Sequence, residues 1–132
     1  MQYLYLYLAL VPVFFVIDFL WINFFAKDLY FKNLSHLIGD INNAAAVGFY
    51  LVYIVGIILF GVLPGLQSGQ WQQALLWGAL FGFFTYATYD LTNLATLKDW
   101  PLKVVIIDMA WGTVLCASVA TVGFFIGQQL KL

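Results

Sequence analysis

Four long apolar segments constrain the fold of this chain more than any other feature of its sequence. They run from about residue 4 to 25, 44 to 63, 74 to 94 and 104 to 126. Each holds roughly the 20 residues that cross a ~30 Å bilayer core as a helix. Because lipid cannot satisfy the backbone of an isolated strand, helices are the expected conformation. The sequence therefore predicts an all-α integral membrane four-helix bundle, with residues 1–132 forming a single transmembrane domain.

The composition supports a bilayer as the solvent for most side chains. Hydrophobic residues make up 64% of the 132-residue chain and charged residues only 8%. Soluble domains carry about 45–50% apolar and about 25% charged residues, and small ones keep much of their surface in water. The net charge of −1 and the lack of arginine exclude a basic face for nucleic acid. The single cysteine, Cys116, excludes an internal disulfide, and its apolar neighbours indicate a packing residue.

Lysine positions predict the orientation in the membrane. Lys27, Lys32, Lys98 and Lys103 fall in the first and third connections, whereas the opposite side carries only Lys131. By the positive-inside rule, those two connections face the cytoplasm and both termini lie outside.

Proline and glycine mark the two shorter connections. The proline and glycines of the uncharged residues 64–70 predict a tight turn between the second and third helices. Pro101 is expected in the first turn of the fourth helix.

A weak internal repeat relates the two halves of the chain. Asp18 is followed by Lys27-Asp28, and Asp90 is followed by Lys98-Asp99. This similarity predicts a duplicated two-helix hairpin, with chance similarity between two hydrophobic hairpins as the alternative.

Three aspartates lie inside the predicted helices at a common depth. Asp18 lies seven residues before Phe25, Asp90 seven before Leu97 and Asp108 seven after Pro101, which is ~10 Å at ~1.5 Å per residue. A charged side chain in hydrocarbon costs at least a few kcal/mol. We therefore expect the three acids to form one buried polar layer, near the predicted cytoplasmic end of the bundle.

Helical spacing predicts which side chains accompany these acids. An aromatic or amide side chain lies three or four residues from each acid, close enough to share its helix face, and an asparagine begins the second helix near the same level. The predicted ligand-binding residues are Asp18, Trp21, Asn42, Tyr86, Asp90, Asn93, Asp108 and Trp111. For the two tryptophans, packing is the favoured role and ligand binding the alternative.

Small residues predict where two of the helices approach closely. Gly78 and Gly82 continue the stripe of Asp90 along the third helix, and Gly112, Cys116 and Ala120 form a stripe on the fourth. Such stripes allow helices to pack closely in membranes.

Three carboxylates cannot crowd together in a medium of low dielectric constant. At least one must be protonated, hydrogen-bonded or bound to a cation. A divalent cation held by Asp18, Asp90 and Asp108 is therefore a candidate cofactor, and His36 is a candidate donor if its loop folds back rather than staying solvated. The alternative is that the acids only hold the helices together, but interhelical hydrogen bonds in membranes contribute on average about 0.6 kcal/mol each. A functional site is therefore favoured.

Several stretches carry a resemblance to a known family. They are Asp18-Phe19-Leu20-Trp21, Tyr89-Asp90-Leu91-Thr92-Asn93 with Lys98-Asp99-Trp100-Pro101, and Asp108-Met109-Ala110-Trp111-Gly112. In these the chain resembles, over essentially its whole length, a family of small predicted bacterial inner-membrane proteins, a domain of unknown function. The resemblance implies a four-helix domain in a bacterial inner membrane and implies no activity. The size is also similar to that of small multidrug-resistance transporters, but those use a glutamate in the first helix and this chain has no glutamate.

Three functions fit these observations. The first is a membrane protein whose polar pocket, near the cytoplasmic leaflet, binds or modifies a lipid or small amphipathic molecule. The second is a proton- or cation-coupled transporter that acts as a dimer, and the third is an accessory subunit of a membrane complex. The expected partners are membrane lipids, with a homodimer or a larger membrane complex as the candidate assemblies.

Overall fold

A computed structural model describes all residues from Met1 to Leu132 as four helices without strands. They are α1 (Gln2–Leu34), α2 (Asn43–Ser68), α3 (Trp71–Thr96) and α4 (Leu102–Gln129). The Gln2 side chain donates a hydrogen bond to the Leu130 carbonyl at 2.7 Å, so both termini lie at the same end of the bundle.

The all-α membrane bundle expected from the sequence is confirmed. Helices α1, α2 and α4 are each long and apolar enough to cross a membrane. Helix α3 has 26 residues but is more polar. Large apolar side chains such as Phe24, Val52 and Phe84 are 74%, 73% and 61% exposed, as expected for a surface that contacts lipid.

Helix α1 is longer than its apolar segment predicted. It continues to Leu34 through a π turn at Ile22–Ala26, so Lys27 and Lys32 lie on the helix rather than in a connection. The reason is a stripe of residues spaced four apart, all but Ile22 of them buried or half-buried, which the mean hydropathy does not register. This stripe contains Leu6, Leu10, Phe14, Asp18, Ile22, Ala26, Tyr30 and Leu34.

The π turn explains how one stripe stays directed at the bundle along the whole of α1. A spacing of four drifts by ~40° per step in a regular α-helix of 3.6 residues per turn. A π turn bonds residue i to i+5 and so accommodates extra residues, which rotates the following stretch back towards the same side. Ala26 is fully buried and Leu34 is 9% exposed, so the extension packs on the bundle.

The tight turn predicted within residues 64–70 is present, but it takes up only the end of that stretch. Pro64 and Gly65 lie in the last part of α2, and the chain reverses at Gly69, whose φ is +73°. A π turn at Ile58–Val62 precedes Pro64 directly, and a proline in the first turn after such an irregularity interrupts little regular hydrogen bonding. Gly65 serves packing instead, since a Cβ atom there would lie 2.6 Å from the Ala74 Cβ.

The most extensive helix pair is α3 with α4, and the predicted small-residue stripes form its interface. A Cβ atom on Gly78 would lie 2.6 Å from the Ala120 Cβ and from the Cys116 carbonyl oxygen. A Cβ atom on Gly82 would overlap the Gly112 carbonyl oxygen. The predicted close approach of these two helices is therefore confirmed.

The apolar core lies in the half of the bundle that holds the termini. Leu6, Leu10, Phe14, Ile54 and Leu115 are among its fully buried side chains. The two halves of the predicted repeat differ locally, since α1 and α2 each contain a π turn and α3 and α4 contain none. The duplication stays a prediction.

Candidate functional site

A cavity of about 580 Å³ lies at the end of the bundle opposite the termini. Its volume is in the range of small-molecule sites, roughly 300–1,000 Å³. The 16 lining residues are Asp18, Trp21, Ile22, Tyr30, Leu34, Ile38, Phe49, Tyr50, Thr85, Tyr86, Tyr89, Asp90, Trp100, Val104, Asp108 and Trp111.

Three stripes with a spacing of four bring the aspartates to this cavity. Asp18 follows Phe14 on the core stripe of α1, Asp90 ends a stripe on α3, and Asp108 begins one on α4. On α3, Gly82 lies two steps before Asp90 on its stripe, and on α4, Gly112 lies one step after Asp108. The close packing of these two glycines therefore fixes the positions of both acids. The structure thus places all three at one site, as their common depth predicted.

Asp18 connects three helices. Its Oδ2 accepts a hydrogen bond from the Tyr50 hydroxyl of α2 at 2.7 Å, and its Oδ1 accepts one from the Trp111 Nε1 of α4 at 3.2 Å. The side chain is only 8% exposed. Both of its oxygens therefore have partners within the bundle.

Asp108 connects two helices. Its Oδ1 accepts a hydrogen bond from the hydroxyl of Tyr30, which lies on the extension of α1. The continuation of α1 beyond its apolar segment is therefore what provides this partner.

Asp90 differs from the other two acids. Its side chain is fully buried, and neither carboxyl oxygen has a hydrogen-bond partner. Its carboxyl group lies within hydrogen-bonding reach of that of Asp108, so a proton or cation shared between the two acids is the one link that the protein offers Asp90. Because buried polar groups in proteins are nearly always bonded, Asp90 has a capacity for hydrogen bonds that the protein itself leaves unused.

Half of the residues that line the cavity are aromatic. Trp21 stacks on Trp111 with a centroid distance of 4.5 Å and an interplanar angle of 6°, and Tyr89 meets Trp100 edge to face at 6.0 Å. The Nε1 atoms of Trp21 and Trp100 are buried and make no well-formed hydrogen bond, although that of Trp21 adjoins the Tyr30 hydroxyl. The cavity therefore contains unused donors as well as unused acceptors.

The cavity is acidic, with no basic residue in its lining. No group of three His, Cys, Asp or Glu side chains in the chain is arranged to hold a metal ion. The three-aspartate site for a divalent cation, proposed from Asp18, Asp90 and Asp108, is therefore not supported. Tyr30 and Tyr50 explain why, since each donates a hydrogen bond to one of these carboxyl groups.

Six of the eight predicted ligand-binding residues line the cavity, and two do not. Asn42 is exposed and caps α2, where its Oδ1 accepts a hydrogen bond from the Ala45 backbone N–H at 3.0 Å. Asn93 is half-buried, about one turn beyond Asp90, and lies outside the lining. His36, a candidate donor, is exposed in the turn after α1 and is not a lining residue either.

Sequence reasoning missed five aromatic residues of the site: Tyr30, Phe49, Tyr50, Tyr89 and Trp100. Tyr30 could have been found, because it lies twelve residues after Asp18, on the same spacing of four. Tyr50 likewise precedes the buried Ile54 by four residues. Trp100 lies in a connection, where no periodic pattern indicates its direction.

Comparison with known proteins agrees with the resemblance seen in the sequence. A family model described as "Predicted membrane protein (DUF2177)" matches residues 3–125. Neither a curated protein nor a solved structure matches the chain. The resemblance to a membrane protein family of unknown function is therefore confirmed.

Proposed function

Since this chain belongs to the DUF2177 family of predicted membrane proteins, we propose that its cavity binds the polar head of a membrane-embedded amphipathic molecule. The observation that carries the proposal is the lining itself. Three aspartates and no base surround one space that is otherwise walled by aromatic and aliphatic side chains.

The rim of the cavity suits an apolar tail. Ile22, Ile38, Phe49 and Tyr89 line the cavity and are also 40%, 39%, 52% and 57% exposed. A small soluble ligand gains nothing from apolar side chains at the rim of its site. An amphipathic ligand gains from it, because its tail can lie against these side chains while its head reaches the acids.

Helix association alone does not account for all three acids. Asp18 and Asp108 bond to other helices, which suits a structural role. Asp90 is buried and no N–H or hydroxyl of the protein donates a hydrogen bond to it, and burying an under-satisfied polar group costs free energy. A bound ligand that supplies the missing partner explains why this acid is tolerated.

Binding is favoured over transport for a single chain. The apolar core residues Leu6, Leu10 and Phe14 are fully buried and continue the stripe of Asp18 towards the other end of the bundle. Between the acids and the other end of the bundle, these side chains offer a charged solute no polar group to bind. A ligand that stays at the cavity end does not need such groups.

We place the cavity in the cytoplasmic leaflet of a bacterial inner membrane, with all four helices crossing and both termini outside. Lys27, Lys32, Lys98 and Lys103 lie at the cavity end and Lys131 at the other, which supports this orientation.

The test is retention of lipid by the purified protein in native mass spectrometry. Ile22→Trp places a larger ring at the rim, and Leu20→Trp is the matched control, because Leu20 is 47% exposed on the same helix but does not line the cavity. We expect the wild type and the control to retain one lipid or amphipathic molecule per chain, and Ile22→Trp to lose it. Equal retention by the two variants, or no retention by the wild type, would refute the proposed binding site.

A further inference from the structure

The unused hydrogen-bonding groups of the cavity are of two kinds. Asp90 offers two buried acceptor oxygens to which no N–H or hydroxyl of the protein donates, and Trp21 and Trp100 each offer one buried N–H donor without a well-formed hydrogen bond. All three residues line the same cavity. A ligand that satisfies them must carry N–H or O–H donors and oxygen acceptors in one head.

We propose that the ligand head is a primary ammonium joined to a phosphodiester, as in an ethanolamine phospholipid, with the ammonium at Asp90 and an oxygen of the phosphodiester accepting from an indole N–H. This inference rests on the proposed function and names the class of amphipathic molecule that the same site takes.

The charge of the cavity selects a cationic group next to Asp90. The adjoining carboxyl of Asp108 and the absence of any basic lining residue leave the acids without a counter-charge from the protein. Aromatic faces such as those of Tyr86 and Trp111 line the same space, and a cation is attracted to them as well.

The two free oxygens of Asp90 favour a protonated amine over the other cations. A primary ammonium has three N–H donors and can bond to both oxygens, or bridge Asp90 and Asp108. A quaternary ammonium carries the same charge but cannot donate a hydrogen bond. A divalent metal ion prefers more oxygen ligands than this pair provides, and the chain has no suitable group of three.

The indole N–H groups account for the second half of the head. An ammonium alone would leave the donors of Trp21 and Trp100 unsatisfied. A phosphodiester two carbons away supplies acceptors with negative charge, and hydrogen bonds to charged acceptors are the stronger ones. These two neutral indole donors, in place of a lysine or arginine, suit a zwitterionic head that already carries its own cation.

The experiment compares head groups on the wild-type protein first, so that it does not depend on a variant folding. Delipidated protein in detergent is mixed with equal amounts of phosphatidylethanolamine, phosphatidylcholine and phosphatidylglycerol of identical acyl chains, and bound lipid is counted by native mass spectrometry. We expect phosphatidylethanolamine to bind about 10- to 100-fold more tightly than phosphatidylglycerol, as one charged hydrogen-bonded contact would give, and more tightly than phosphatidylcholine. Equal binding of the three lipids would overturn the inference, while lipid binding blocked by Ile22→Trp would still support the broader proposed function.

Two variants locate the head group. Asp90→Asn should lose the preference for phosphatidylethanolamine, and Asp28→Asn, an exposed acid at the same end of α1, should keep it. Trp100→Phe should weaken the binding of phosphatidylethanolamine but not the binding of ethanolamine. Only the phosphodiester accepts a hydrogen bond from the Trp100 N–H. An unchanged preference in Asp90→Asn would contradict the assignment.

Soluble competitors separate a lipid from a free head group. Glycerophosphoethanolamine carries the same head without acyl chains. If glycerophosphoethanolamine displaces the phospholipid only at far higher concentration, the ligand is the lipid. If it binds as tightly as the phospholipid, the ligand is the soluble phosphodiester. The head-group assignment holds in both cases. Tight binding of Mg²⁺ alone that is lost in Asp90→Asn would instead assign the site to a metal ion and overturn the proposal.

Discussion

Adding one methyl group to Gly82 tests whether the tight α3–α4 pair fixes the position of the buried acids. In Gly82→Ala, the new Cβ atom would overlap the Gly112 carbonyl oxygen and lie 2.8 Å from the Cys116 Cβ. One of these atoms is backbone, so no rotamer change relieves the overlap and the helices must move apart.

The size of the effect follows from a comparison with Gly48→Ala. Gly48 lies in α2 with nothing within 4 Å of the position of an added Cβ. Both variants gain the higher helix propensity of alanine, ~1 kcal/mol at most, so the difference between them isolates the steric term. Overpacking typically costs about 1–3 kcal/mol, and we expect Gly82→Ala to be less stable than Gly48→Ala by that amount.

The measurement is the free energy of unfolding in mixed micelles, obtained by titration with denaturing detergent and followed by circular dichroism. Lipid retention should fall with stability in Gly82→Ala, because Asp90 and Asp108 lie on the two helices that separate. Equal stability of the two alanine variants would show that the helices are not as close as described and would refute the reasoning.

Three further predictions address other parts of the structure. Tyr50→Phe removes the hydroxyl that donates to Asp18 at 2.7 Å and should lower the free energy of unfolding by about 0.6–1.7 kcal/mol; no change would mean that water replaces this bond. Lys98→Cys should react with a membrane-impermeant thiol reagent only from the cytoplasmic side. The native Cys116 is buried and should not react. Labelling from the other side would reverse the proposed orientation. Asp99 has a φ of +60°, so Asp99→Gly should stabilise the protein by about 0.5–1 kcal/mol in the same unfolding assay, and destabilisation would show that its side chain has a role there.

The sequence was sufficient for the helical membrane fold and for the depth of the acids, because both follow from simple periodicity. Asp18, Asp90 and Asp108 lie at similar distances from the ends of apolar segments, and short connections force those ends together. The stripes of small residues containing Gly78 and Gly82 were predictive for the same reason. Each of these features depends only on spacing along one helix.

The parts that were not predictable depend on irregular backbone or on contacts between distant segments. The π turn in α1 carries the helix past Lys27 and brings Tyr30 to the cavity, and mean hydropathy does not contain that information. Pro64 lies in the stretch predicted to turn but belongs to the helix, because its tolerance there depends on the π turn before it. Asn42 was expected at the site from its level in the membrane, but level does not fix direction, and its side chain caps a helix instead.

A density map of the protein purified directly into lipid nanodiscs would decide between a ligand site and purely structural contacts among the acids. We predict elongated density in the cavity, with its head within hydrogen-bond distance of the Asp90 carboxyl group and its tail leaving past Ile22 or Phe49. An empty or collapsed cavity, in which Asp90 bonds only to Asp108, would contradict ligand binding at this site.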